Sequence, residues 1–366
     1  MTTRREFLGT STALTGLAFV GCELLAGQHA CAQTKRRETT VAGKRAIVID
    51  VHAHCLVPEA MALMGLKIGA TSSFRPDLNM IATVQQRLAA MDAQGIDIQA
   101  LSINPFWDKA ERDVAEKVIQ LQNEKLAEAC AAHPDRFVAF ATVSMNFPDL
   151  AVKQLEDGVK KLGLRGASIG ASVNGAELSD PKFHPFWAKV EELGVLVFIH
   201  PQADGATAQL ASRLKGNGYL SNIIGFPLET SIALSHLIFE GTLDKFPKLK
   251  ICGAHGGGFL PSYMGRSDMG CLTLPAACAG GTYGPIKKKP TEYLKQMYYD
   301  TMVFSPEGIR HLAAEVGASQ LVVGTDYPFP WTKTAVDEVL ATPGFSDADK
   351  VAVLGGTAAR LLGIKG

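Results

Sequence analysis

The chain has 366 residues, 36 basic against 36 acidic side chains, and 47% hydrophobic residues. Nothing in that balance points to nucleic acid or to an anionic membrane surface. Beyond residue 32 the cysteines are Cys55, Cys130, Cys252, Cys271 and Cys278. They form no CxxC and their number is odd, so buried thiols are expected rather than a disulfide frame. Cys271 and Cys278 could pair in an oxidising compartment.

Residues 1–32 read as a twin-arginine signal peptide. Arg4-Arg5 opens it, a weakly apolar stretch runs from Leu8 to Leu25, and Ala30-Cys31-Ala32 offers small residues for cleavage. This predicts a periplasmic protein with no stable membrane insertion after cleavage. The alternatives are a membrane anchor or a lipoprotein modified at Cys22. Residues 33–45, polar throughout, are expected to form an exposed leader.

From residue 46 to 366 apolar runs of strand length alternate with amphipathic stretches. The strands are expected at Ile47–Val51, Ile98–Ser102, Phe137–Val143, Leu164–Ile169, Val195–Ile199, Lys250–Gly253, Tyr298–Thr301 and Leu321–Gly324. Helical patterns between them include Met80–Gln94, Arg112–Ala132, Leu150–Leu162 and Pro306–Val316. Eight such units predict an α/β fold, a (β/α)8 TIM barrel with loop insertions at its C-terminal face.

Active sites of such barrels lie at the C-terminal ends of the strands. The first strand leads to His52 and His54, which share a face because side chains alternate. The fifth ends in His200, the sixth in His255 and the eighth in Asp326. A lone histidine is usually a hydrogen-bonded loop or core residue. Ionisable residues ending several apolar strands, on one mouth, point instead to a metal site. His133, His184, His236 and His311 fall on helices or their edges and carry no such signal. Trp107 and Trp331 follow the second and eighth strands and are candidates to line the pocket, whereas Trp187 reads as core.

These residues resemble the amidohydrolase superfamily, in the branch of aminocarboxymuconate semialdehyde decarboxylase and γ-resorcylate decarboxylase. The resemblance rests on DVHAH (50–54), AMDAQGIDIQALS (90–102), HPDRF (133–137), FIHP (198–201), FPKLKICGAHGGGFLP (246–261) through Arg266, GTDYPFP (324–330) and GGTAARLLGI (355–364). It implies that His52, His54, His200 and Asp326 bind one divalent metal ion, and that His255 is catalytic, with Asp326 able to move protons. It also implies that Arg75, twelve residues before Arg87, binds a substrate carboxylate. The bridging lysine of binuclear members is missing at the end of the fourth strand, where Ala167-Ser168-Ile169-Gly170 stands. Leu274 occupies the place of a second carboxylate-binding arginine.

Three histidines and a carboxylate suit Zn²⁺, with Mn²⁺ the other choice. The branch implies a metal-dependent carboxy-lyase for a small unsaturated or aromatic carboxylic acid. A metal-dependent hydrolase of a lactone or amide would use the same side chains and stays open at this point. We expect a homodimer and a small-molecule carboxylate substrate.

Overall fold

A computed structural model describes residues 36–65, 82–104, 109–202, 205–279 and 284–365. The barrel strands are β1 (Ile49–Cys55), β2 (Ile98–Ile103), β3 (Phe137–Ala139, continued by Ala141–Thr142), β4 (Gly166–Gly170), β5 (Leu196–His200), β6 (Lys250–Gly253), β7 (Tyr298–Asp300) and β8 (Leu321–Val322). Pairing is parallel from β1 to β3 and from the second part of β3 to β8. Parallel bridges from Asp50 to Val323 and from Ala53 to Tyr327 close β8 back onto β1. The expected eight-stranded barrel therefore stands.

Two packed clusters show how alternation builds it. On β5, Leu196 and Phe198 join the inner cluster, while Val197 and Ile199 face the helices. Ala358, Leu361 and Leu362, from the helix Thr357–Leu362, complete the inner cluster. Trp187 is fully buried, and its indole N–H donates to the Leu178 carbonyl at 2.8 Å. The run Ser221–Phe239 is long and apolar enough to cross a membrane. Here its Ala233, Leu234, Leu237 and Ile238 are buried in the outer core.

β1 breaks the alternation. Ile49 and Val51 belong to the inner cluster, and strict alternation from them would turn His52 and His54 outward. The pairing register with β2 shifts between Asp50 and Ala53. This bulge turns both histidines inward, a common use of bulges near active sites. Both lie within the strand, not beyond its end.

Helices Arg112–Ala132 and Pro306–Val316 match their expected bounds. The helix expected from Met80 begins at Val84, where the Thr83 side chain and Gln86 form a reciprocal cap.

The expectation of an exposed leader at 33–45 needs correction from Arg36 onward. Thr40–Val41 and Lys44–Arg45 form a hairpin, with Thr39 and Val41 buried. Ion pairs fix it: Arg36 and Arg45 both meet Asp97, and Arg37 meets Asp337. Asp97 also accepts the Val48 N–H at 2.8 Å. Asp97→Ala would leave those donors unpaired, and we expect it to lower stability by about 2–3 kcal/mol. Urea unfolding checks this; a loss below about 0.5 kcal/mol would mean the hairpin floats free.

Candidate metal centre and active site

His52, His54, His200 and Asp326 are buried, and their ligand atoms all lie within 4.8 Å of one another. The Nε2 atoms of His52 and His54 are 3.0 Å apart. Asp326 Oδ1 stands 3.2 Å from the first and 2.9 Å from the second. The four residues reach this point from β1, β5 and the turn after β8, as the sequence suggested.

Neighbouring groups fix which ring nitrogens carry hydrogen. His52 Nδ1 donates to Asp300 Oδ2 at 2.6 Å, so its Nε2 presents a lone pair inward. Ser102 Oγ donates to the Ala53 carbonyl at 3.2 Å and lies 3.0 Å from His54 Nδ1. It therefore accepts from that nitrogen, and His54 Nε2 also presents a lone pair. His200 Nε2 is buried with no hydrogen-bond partner among the described residues. Lone pairs and a carboxylate oxygen facing each other repel, and a cation at their centre turns repulsion into coordination. The donor set thus fits a divalent ion, and these four residues form a metal site.

The titration of the groups tells the same story. Burial alone would lower the His52 imidazole, but Asp326 and then Asp300 outweigh it and push it up to about 10. A proton there does what a cation would do. Burial holds His200 well below the usual histidine range, helped by the neighbouring histidines. Burial opposes ionisation of Asp326, yet His52 and His54 hold it well below the usual carboxylate range.

His255 joins the site without joining the ligands. Its ring centroid is 5.2 Å from those of both His52 and His200. Burial, then His52, pushes it down to about 4, so it is neutral near pH 7. His255 and Asp326 both have left-handed backbones, with φ of 55° and 57°. Non-glycine residues adopt that region at a cost that the surrounding structure must hold. The glycines after His255 serve close approach: a Cβ on Gly258 would sit 2.0 Å from the Pro227 carbonyl oxygen.

Beneath the metal site lies a buried polar network that the sequence did not reveal. Asp50 accepts from the His52 N–H (3.0 Å), Gln99 (2.8 Å) and the Thr325 hydroxyl (2.6 Å). Arg87, fully buried, donates to Gln99 Oε1 at 2.9 Å and to the His54 carbonyl. Burial raises Asp50 to about 6, with the Thr325 hydrogen bond the largest force the other way. Asp300 is the other residue missed; it ends β7 as the histidines end their strands, and that was its available signal.

Phe198 floors the site, with its ring 4.9 Å from His52. Phe329 stands 5.8 Å from His54. Further out, Tyr219 stacks on Trp331 at 6.4 Å and 17°, and Phe304 lies 6.2 Å from the same indole. Trp331 therefore sits in an aromatic cluster beside the mouth. Arg75 and Trp107 lie outside the described residues.

The family described as Amidohydrolase matches residues 49–364. The chain belongs to that family. It is 32% identical over 283 residues to 2-amino-3-carboxymuconate-6-semialdehyde decarboxylase of Dictyostelium discoideum, covering 76% of each chain. It is 31% identical over 293 residues to gamma-resorcylate decarboxylase of a Rhizobium species, covering 76% of this chain and 87% of the relative. A solved dihydroxybenzoic acid decarboxylase from a Polaromonas species, with bound manganese and the inhibitor 2-nitroresorcinol, superposes with a TM-score of 0.71. That structure is 28% identical, with 87% of this chain and 97% of the other covered.

Loss of one inward lone pair should empty the site. His54→Ala is expected to lose the ion on dialysis, while His255→Ala keeps about one ion per chain. Elemental analysis of the dialysed proteins decides; metal loss from both would place His255 among the ligands.

Proposed function

We propose that this enzyme removes CO₂ from a small unsaturated or aromatic carboxylic acid, without oxidation, at the His52–His54–His200–Asp326 centre. The observation that carries this reading is the buried donor quartet with a fourth histidine, His255, beside it and outside the donor set, in a chain whose relatives are decarboxylases. The protein is a metal-dependent carboxy-lyase of the amidohydrolase family.

A divalent ion held there supplies positive charge that orients an anionic substrate and polarises its oxygens. The donor set suits zinc, and the Polaromonas relative holds manganese; ligands of this kind take either ion. The carbon–carbon bond to the carboxylate breaks, its electron pair stays on the substrate carbon, and a proton replaces the departing CO₂. His255 is placed to relay that proton: neutral at rest, it takes one up at Nδ1, which no group among the described residues engages, and passes it to the vacated carbon. Asp326 holds the ligand cluster together and can pass a proton at its carboxylate. Trp331, with Tyr219 and Phe304, offers flat faces to an unsaturated or aromatic acid. We assign Arg75 and Trp107, which follow β1 and β2 in the sequence, to the substrate as well, Arg75 pairing with a carboxylate.

The same reading extends to the cell. Export by the twin-arginine route to the periplasm is supported by the N-terminal pattern and by the disulfide between Cys271 and Cys278, which suits an oxidising compartment. A homodimer is supported by apolar side chains at the surface of helix Leu260–Thr273 and just past it: Tyr263, Leu272 and Leu274 are 66%, 73% and 64% exposed.

A screen of hydroxybenzoates and muconate-type acids for CO₂ release tests the reaction. In D₂O the product should carry deuterium at the vacated carbon, and His255→Ala should be slower by about 10²–10⁴-fold with its metal retained. Turnover of lactones or amides with no CO₂ from any acid would overturn the reading. Arg75→Ala should raise KM for the carboxylate substrate by roughly tenfold or more with the fold intact; an unchanged KM would return Arg75 to the solvent. Fractionation should place the mature protein in the periplasm, and undiminished export of the Arg4→Lys, Arg5→Lys double variant would refute the route.

A further inference from the structure

Among the described residues, the carboxylate of Asp300 faces four donors and no acceptor. Oδ2 accepts from His52 Nδ1 at 2.6 Å and from the His255 backbone N–H at 3.0 Å. Oδ1 accepts from the backbone N–H groups of Gly256 at 2.8 Å and Met302 at 3.1 Å. The side chain is fully buried, so water supplies none of these bonds. The first partner is a metal ligand on β1. The second and third begin the strained turn that carries the catalytic histidine after β6.

We propose that Asp300 is a positioning residue that locks the ligand His52 and the turn carrying His255 into one unit. The proposal rests on the metal-site reading above. Its physical basis is that one acceptor-only group serves both elements. Fixing hydrogen on Nδ1 leaves the Nε2 lone pair for the ion. Holding the His255 and Gly256 amides keeps His255 in its left-handed backbone, which nothing local favours. Gly324 belongs to the same device: a Cβ there would lie 2.8 Å from Asp300 Cβ and 3.0 Å from His52 Cβ, so β8 can close over the pair only without one.

Asp300→Asn keeps the shape and breaks the logic. An amide has one acceptor oxygen and one donor nitrogen, so whichever way it turns, its N–H₂ faces two other donors. Turned toward His52, it donates to Nδ1 and shifts the ring hydrogen to Nε2, which removes the ligand lone pair. Turned away, it pushes at Gly256 and Met302 and loosens the turn.

The test uses zinc as the probe. Asp300→Asn should bind zinc about 10–100-fold more weakly than wild type by competition with a chelator. At saturating zinc its kcat should stay reduced about tenfold or more with KM little changed, because the His255 turn is still loose. Zinc binding within twofold of wild type, or full recovery of kcat on saturation, would overturn the proposal. Two wild-type measurements stand even if the variant does not fold. Nitrogen-15 spectra of zinc-loaded protein should show His52 protonated at Nδ1. Hydrogen exchange at the His255 and Gly256 amides should accelerate when zinc is removed. Hydrogen at Nε2, or exchange indifferent to zinc, would refute the coupling. A wild-type chain that binds no zinc or manganese would instead refute the metal-site reading itself.

Discussion

Three histidine nitrogens and a carboxylate oxygen, packed within 4.8 Å in a dry interior, are the constraint on which the rest of this structure depends. Each alone would cost free energy to bury, and together they repel. Such a cluster is tolerated only if something positive sits among them. A proton can serve, which is why Asp326 and Asp300, against the pull of burial, drive the His52 imidazole up to about 10. A divalent ion serves better, because it satisfies all four at once. The surrounding residues are explained by the need to keep lone pairs aimed inward. Ser102 and Asp300 do so by occupying the far ring nitrogens, and the bulge on β1 does so by turning two histidines into the barrel.

A second layer sets the register of the strands that carry the ligands. Asp50, Gln99, Thr325 and Arg87 tie β1, β2 and the segment after β8 through buried hydrogen bonds of 2.6–3.0 Å. The Asp326 N–H donates to the His52 carbonyl at 2.7 Å, so ligand strand and ligand turn are joined at the backbone too. A half-satisfied buried network would destabilise the core more than an apolar one would. That penalty for slippage is what makes the arrangement specific, since any shift of one strand breaks several bonds at once.

The sequence made the barrel legible because its strands are apolar runs of the right length, and the ligands legible because ionisable residues end those runs. His200, His255 and Asp326 stood out on that ground. Asp300 did not, since the apolar run carries the expected strand on to Thr301 and sets Asp300 within it, whereas β7 ends at Asp300. Asp50 was overshadowed by the two histidines that follow it. Arg87 lay in an amphipathic helix, where an arginine normally marks the solvent face; its burial follows from contacts to Gln99 and His54, which no local pattern encodes. The same holds for the hairpin from Arg36. Its composition is that of a solvated leader, and only pairing with Asp97 and Asp337, far away in sequence, makes it structure.

The division of labour at the mouth follows from the same constraint. A histidine that binds the ion has both nitrogens committed, one to the metal and one to its orienting partner, so it cannot carry a proton through a reaction. A catalytic histidine must be close to the ion yet outside its coordination. His255, proposed above as that histidine, stands on a turn instead of a strand, in a backbone conformation that costs energy, and its N–H donates to Asp300. Asp326 has the same kind of backbone, held by its bond to β1. Two local departures from regular backbone put Asp326 among the donors and His255 beside them, and the proposed division between holding a metal and using it rests on that offset.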